Sequence, residues 1–502
     1  MKNKFNKIRD LMTKKQIISN STFFYYLFFI IIISIAFIYG LSFTTMNDGF
    51  WHIKVGEYII KNRTIPHNDI FSWYGKSMNL KWISHEWLFG IIVYLVYSIN
   101  GFLSLSVFMG IISVLTVILL SYLIKIRTAN KWVSLFLTIL FLIFISQDTS
   151  LSLRPIYVSL IIILVTCILL EKKRCFFAIL ALIIGINVHG GIYPVYIMIF
   201  AYYTLFKNNK YFIISVVSII INPNTYNLYL YTIKAMQEMK YEKMFIKEWW
   251  TVPLYDFKVA LFIIVITALV YALGRLNLRD VIFSGCFVLL SITSYRQLSF
   301  LPILVVPIIS PYFNKSLNVI LDDNLFKFEL LKKTETLFKV EKKIFIKSFI
   351  LVLFEMIFLW SNINYCYTLF NNGMPLFKVN PASNPIYAAD YINKHPEIKN
   401  SHLFTHYNDS QYIIFRGIPS FVDSRADLFL SSYNSNTNAF YDFMLAIIDQ
   451  HKPENLITKY KLNYILINKS NSIYNTFKSY KNLKITYEDK NYCIFKVNCY
   501  VK

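Results

Sequence analysis

Charge is what this sequence has least of. Asp, Glu, Lys and Arg make up 16% of its 502 residues, where soluble domains carry about a quarter, so most of the chain belongs in lipid. Nucleotide and zinc signatures are missing as well: there is no G-x-G-x-x-G, Walker A, H-E-x-x-H or paired C-x-x-C. Nucleotide-driven transport and zinc chemistry therefore lose support, and no nucleotide cofactor is expected; a divalent cation stays open. The six cysteines, Cys167, Cys175, Cys286, Cys366, Cys493 and Cys499, have no metal-ligand spacing and read as packing residues. A Cys493–Cys499 disulfide on a strand pair is the one alternative. Internal repeats and low-complexity tracts are absent too.

What is abundant is apolar length. The chain is 56% hydrophobic and 18% aromatic, with a mean hydropathy of +0.47. Its formal net charge of +23 does not mark a nucleic-acid binder, because Lys and Arg gather in short links between apolar runs and not on one continuous face. The basic start, Met1 to Lys15, precedes an apolar run over 23–43 that exceeds a signal peptide's core and lacks a small-residue cleavage pattern. It reads as an uncleaved anchor with its start in the cytoplasm.

Candidate spans fall near 23–45, 102–125, 132–147, 154–170, 176–188, 191–206, 211–222, 257–274, 280–295, 298–313 and 345–361, about eleven crossings at roughly twenty residues each. The short runs 176–188 and 211–222 are alternatively re-entrant. Counting Glu86 to Ile99 as a further span would put the link Lys125 to Lys131, and most later basic links, outside the cell, against the positive-inside bias. That stretch is therefore read as a surface helix. The outer face then collects the first loop (46–101), Gln147 to Arg154, His189-Gly190-Gly191, 222–256, Tyr295-Arg296-Gln297 and everything after about 362.

From about Asn380 the pattern becomes that of a small soluble α/β domain, with helices over Tyr387 to Lys394 and Ala439 to Gln450. Strands are expected over His402 to Thr405, Ser420 to Asp423, Tyr464 to Asn468, Leu483 to Tyr487 and Cys493 to Val497. The expected fold class is thus mainly α: a polytopic membrane helical bundle, N-in and C-out, followed by an α/β domain. The segments are a cytoplasmic basic start (1–22), the membrane domain (23–361), a linker (362–379) and an extracytoplasmic domain (380–502).

The first outer loop opens with Asn47-Asp48-Gly49-Phe50-Trp51-His52, where the first apolar run ends. Trp51, Val55, Tyr58 and Ile59 have helical spacing, which predicts a short amphipathic helix on the membrane surface that Pro66 ends. The loop continues through Gly56-Glu57, Pro66 to Ser72 and Glu86-Trp87-Leu88. Further islands are Leu153-Arg154-Pro155, Asn187-Val188-His189-Gly190-Gly191, Asn222-Pro223-Asn224-Thr225-Tyr226 and Val422-Asp423-Ser424-Arg425-Ala426-Asp427-Leu428. Together these resemble the bacterial members of the GT-C-like superfamily of polyprenyl-phosphate-sugar glycosyltransferases, in particular a branch with a D-x-x-W-H-x-x-x-G-E first outer loop.

The resemblance implies a membrane glycosyltransferase that moves a sugar, with inversion, from a polyprenyl-phosphate carrier to a glycan or protein acceptor at the outer face of the cell envelope. An acidic residue of the first outer loop would activate the acceptor hydroxyl, and Asp48 is the matching position. Many members carry an adjacent acidic pair there, whereas Asn47 leaves this chain one carboxylate. Asp69 and Glu86 are the loop acids left to act as a second.

Each candidate also has a plainer reading. Asp48 is placed to cap the following helix, and Asp69 to form a turn. His52, one turn beyond Asp48 with Trp51 beside it, would hold that carboxylate, touch phosphate or serve structure alone. Arg154 and Arg296 sit at outer span ends, where a guanidinium suits a donor phosphate or snorkels to the interface. Asp148 is the expected partner of Arg154. His189 marks either a phosphate-facing break or a plain hairpin turn, and Glu248-Trp249-Trp250 either stacks sugars or joins the interfacial belt. Asp423 and Arg425 follow a predicted strand, where ligands bind, or pair with each other as a corner. A non-catalytic binder or flippase-like carrier of a lipid-linked saccharide would use the same outer cavity without a base, and an inactive relative that binds through its last domain is a third class.

Overall fold

The computed structural model describes residues 2–41, 48–146, 152–205, 207–234, 247–253, 277–322, 379–448 and 453–498. The expected spans at 257–274 and 345–361, residues 362–378 of the linker, Asn47, Asp148, Cys366 and Cys499 lie outside the described residues.

The helices follow the apolar runs. Helix α1 (Lys2–Leu41), over Thr22–Leu41, and α4 (Trp87–Thr128) are the two among the described residues that are long and apolar enough to cross a membrane. Shorter apolar helices surround them: α5 (Lys131–Ser146), α6 (Pro155–Glu171), α7 (Cys175–Val188), and the helix Phe300–Asp322. Leu120, Leu135, Leu164, Leu182, Phe200 and Leu301 meet in one core between them. Helix α4 is interrupted at Asn100 and Gly101, where Gly101 takes φ +58°, a conformation that only glycine adopts without strain. The break separates the expected surface helix from the expected span. Helix α6 begins with Pro155 in its first turn and Arg154 at its N-cap, the position where a missing N–H costs nothing.

The first loop forms α2 (Gly49–Asn62), which lies against the start of α4. Contact is close because two glycines face each other: a Cβ on Gly56 would stand 2.0 Å from the Gly90 carbonyl oxygen. The neighbouring Glu57 pairs with Lys54 and Lys61 on the helix surface, so the Gly56-Glu57 pair of the loop motif is accounted for by packing and by helix salt bridges.

After residue 379 four strands form one mixed sheet in the order β1-β2-β4-β3: β1 (Leu403–Thr405), β2 (Tyr464–Asn468), β3 (Leu483–Glu488) and β4 (Tyr492–Val497). β1 and β2 run parallel, and the other pairs are antiparallel. Helices Ile386–Lys394 and Ala439–Ile448 stand where helices were expected. The expected strand over Ser420 to Asp423 does not form. Ser420 makes a single bridge to Ser72, and Phe421 is buried by stacking on Trp73 with ring centroids 5.4 Å apart; its apolar character serves ring packing and no ladder. The sheet region shares its core with the first loop, since Phe421, Phe429 and Phe443 cluster with Trp51, Val55 and Trp82.

Candidate active site

Where the first loop, the nearby helix ends and the last region meet, a cavity of about 320 Å³ opens, with Asp48, Glu86, Arg154, His189, Arg296 and Arg425 in its wall. Asp48 stands at the N-cap of α2 but makes no side-chain cap bond. Its Oδ2 lies 3.2 Å from Arg154 Nε instead. Burial pushes the Asp48 carboxyl up, yet Arg154, the Ser424 hydroxyl, Arg296 and His52 outweigh burial and hold it below the usual carboxylate range. It is ionised at neutral pH.

The other edge of Arg154 is forked onto Glu248, with Nη1 and Nη2 donating at 2.6 and 2.9 Å. Burial lowers the Arg154 pKa, but Asp48 and Glu248 outweigh it and raise it. Glu248 is thus a carboxylate partner of Arg154; the expected partner Asp148 lies outside the described residues. Arg296 lies over the Trp249 ring at 5.2 Å and makes no ion pair among the described residues. Arg154 and Arg296 also border a second cavity of about 90 Å³, together with Pro155, Tyr157 and Leu298.

Glu86, at the N-cap of α4, faces three imidazoles: His52 Nε2 at 3.4 Å, His85 Nε2 at 3.6 Å and His189 Nε2 at 3.6 Å. Burial would raise the Glu86 carboxyl, but His85 first, then His52 and His189, hold it far below its usual value. Burial takes His52 down to about 4 and His189 down to about 3. His85, also penalised by burial, is raised by Glu86, so the proton that pairs with Glu86 rests on His85. The His52 imidazole is thus paired with Glu86, and its backbone N–H donates to the Asp48 carbonyl at 3.1 Å. The break at His189 is held to the loop by the Gly190 N–H, which donates to the His85 carbonyl at 2.9 Å. Nearby, the Trp87 indole donates to Asn187 Oδ1 at 3.0 Å. Among the described residues no group of three or more His, Cys, Asp or Glu side chains is disposed to hold a metal ion.

Asp423 and Arg425 do pair, and Asp69 joins them. Arg425 Nη2 donates to Asp69 Oδ1 and to Asp423 Oδ2, both at 2.7 Å, and Nε donates to Asp423 Oδ1 at 2.9 Å. The side chains are 3%, 0% and 0% exposed for Arg425, Asp69 and Asp423. Asp69 also accepts from the Phe71 N–H at 3.0 Å and from Ser72, and it does not reach the cavity wall. The guanidinium lies 4.5 Å from the Trp82 ring centre. The triad thus ties the outer loop to the last region from inside.

No family of known sequences matches the chain and no curated protein does. Solved structures are similar. The crystal structure of ArnT from Cupriavidus metallidurans bound to undecaprenyl phosphate aligns over 94% of this chain and 98% of its own, at 10% identity and a TM-score of 0.49. The Archaeoglobus fulgidus oligosaccharyltransferase, tethered with an acceptor peptide containing the NVT sequon, aligns over 89% of this chain and 69% of its own, at 11% identity and a TM-score of 0.51. The chain has the GT-C fold.

Within this GT-C fold, the sequence does not point to His85, Gln411 or Ser424 as cavity residues, and it places Glu248 in an acidic-aromatic patch without pointing to its pairing with Arg154. His85 stands beside Glu86, and that adjacency is the available signal. Ser424 lies within the Asp423-Ser424-Arg425 island, but nothing in its spacing points back to Asp48. Gln411, on a short helix over Ser410–Phe415, carries no sequence signal of a site.

Proposed function

We propose that this GT-C chain is an integral membrane glycosyltransferase that takes a sugar from a polyprenyl-phosphate donor and passes it to a cell-envelope acceptor on the outer face. The observation that carries the reading is the meeting of an ionised Asp48 with Arg154 and Arg296 at one cavity. The topology goes with it: about eleven crossings, the start of the chain inside, residues 380–502 outside. Supporting that topology, the basic links all fall on one side under one parity.

In the reaction, Arg296 meets the oxygens of the donor phosphate, because no carboxylate among the described residues engages its guanidinium, while Arg154 keeps Asp48 in place. The acceptor hydroxyl donates to Asp48. As its oxygen bonds to the anomeric carbon, on the face opposite the phosphate, the bond from that carbon to the phosphate oxygen breaks and its electron pair leaves with the phosphate. The proton passes to the Asp48 carboxylate. A carboxylate held below its usual pKa is a weak base, but a hydroxyl oxygen turns strongly acidic as it bonds to carbon, so late proton transfer to a weak base suffices. The products are the glycosylated acceptor and polyprenyl phosphate, whose negative charge the guanidinium stabilises.

Asp48→Asn keeps size and removes the base. It is expected to cut transfer of a lipid-linked sugar by roughly 10²–10⁴-fold with membrane insertion intact, and normal turnover would remove Asp48 from the mechanism. One observation favours a second reading, a non-catalytic binder of a lipid-linked saccharide: the Asp48–Arg154 pair is equally a tether that orients Arg154. On that reading Asp48→Asn is tolerated while Arg154→Gln and Arg296→Gln lose carrier-lipid binding.

A further inference from the structure

The cavity has two unlike walls. On one stand Arg154 and Arg296. The other is built largely from the last region, with Tyr407, Asn408, Gln411, Ser424 and Asp427, and it meets Trp51 and Trp82 of the outer loop. Besides Ser424 Oγ, three buried polar atoms on this second wall have no hydrogen-bond partner among the described residues: Trp51 Nε1, Gln411 Oε1 and Arg425 Nη1. Their residues are 8%, 2% and 5% exposed. Buried polar groups are nearly always paired, so a donor from an indole, a donor from a guanidinium and an acceptor from an amide around one cavity mark a built recognition surface.

Its charge narrows the ligand. Arg425 is already shared between Asp69 and Asp423, which leaves that triad with one excess negative charge. Asp427 adds a further carboxylate to the same cavity, beside the Tyr231 hydroxyl, while the charge of Glu86 is met by His85. An anion entering on this side meets like charge across a poorly solvated gap, whereas hydroxyls both donate and accept and so satisfy all three orphaned atoms. The aromatic rings of Trp51, Trp82 and Tyr407 supply flat faces for a sugar ring.

We propose that this second wall is the acceptor subsite and that it takes an uncharged saccharide, not an acidic or phosphorylated one, with Gln411, Trp51 and Arg425 reading its hydroxyls. This rests on the transferase reading and names the acceptor class of the same site. The test uses the full-length protein in nanodiscs and saturation-transfer NMR with methyl glucoside, galactoside and mannoside set against the matching methyl uronides. At least one neutral glycoside is expected to give a signal fivefold or more above its uronide. That signal should fall at least fivefold in Gln411→Leu and in Trp51→Phe, which keeps the ring and removes the N–H. Thermal melting of both variants confirms that they are folded, and if one is not, the other decides.

Uronide signals equal to or above the neutral ones, no signal from any neutral glycoside, or a neutral signal unchanged in the folded variants would overturn the proposal. A parallel arm titrates undecaprenyl phosphate into wild type and Arg296→Gln. If the lipid binds through Arg296 and the saccharide arm fails, only the acceptor assignment falls. If the lipid does not bind, it is the donor reading that fails.

Discussion

Replacing Arg425 by Met should be the most damaging single change at the seam between the outer loop and the last region. The substitution keeps the length of the apolar stem and removes the only cation between two carboxylates that are wholly buried. Breaking a buried ion group by deleting one partner costs about 3–5 kcal/mol, because the remaining charge is left without compensation. Here two carboxylates are stranded, so the upper end applies. One of them will take up a proton at neutral pH, and Asp423 is the candidate: burial already raises its pKa, Arg425 pulls it down and Asp69 pushes it up, with a net upward shift even in the intact protein. The loss should therefore shrink as the pH falls.

The assay is thermal unfolding of the detergent-solubilised protein at pH 7.5 and pH 5, where the expected loss corresponds to a drop on the order of 10 °C at the higher pH. The variant Asp69→Asn/Asp423→Asn/Arg425→Met replaces the charged triad by neutral groups and should regain most of the loss. A melting temperature within 2 °C of wild type for Arg425→Met (about the resolution expected of ~1 kcal/mol), or a triple variant no better than the single one, would refute the reasoning.

Three other outcomes are expected. Asp409 is buried, accepts from the Tyr492 hydroxyl at 2.9 Å, and is pushed up to about 7 by burial; its folded pKa exceeds its unfolded one, so its contribution is fully present below about pH 4 and lost as the pH rises through about 7, a span worth at most roughly 4 kcal/mol. Asp409→Asn should flatten the fall of the melting temperature between pH 4.5 and pH 8 relative to wild type, and parallel curves would contradict this. Gly56→Ala, whose added carbon meets the Gly90 carbonyl, should lower stability by about 1–3 kcal/mol as read by melting, with no loss if α2 does not pack there. Glu248→Gln frees one edge of Arg154 and should tighten undecaprenyl-phosphate binding severalfold by titration; weaker binding would show that Glu248 helps to hold the lipid.

The apolar helices among the described residues and most of the last region are legible in the sequence because long apolar runs and alternating short ones have few other solutions. Asp48, Arg154, His189 and Arg296 were grouped on one side by counting charges in the links, and the structure places all four at one cavity. Partnerships were less legible. His52 sits one turn from Asp48, yet its imidazole goes to Glu86, because the two faces of a single helical turn look alike in sequence. Asp69 looks like a free loop acid but is consumed by a guanidinium far along the chain. The stretch Ser420 to Asp423 has strand composition, and only its stacking against Trp73 explains why no ladder forms.

Asp48 shares its cavity with Ser424, some 370 residues further along the chain. A ribosome that has delivered the first apolar helix and the loop after it has delivered a carboxylate with half its surroundings. The cavity is completed only when the last region has settled onto that loop, so folding of the tail and maturation of the site are one event. A truncation that spares every membrane helix would still leave the cavity unfinished.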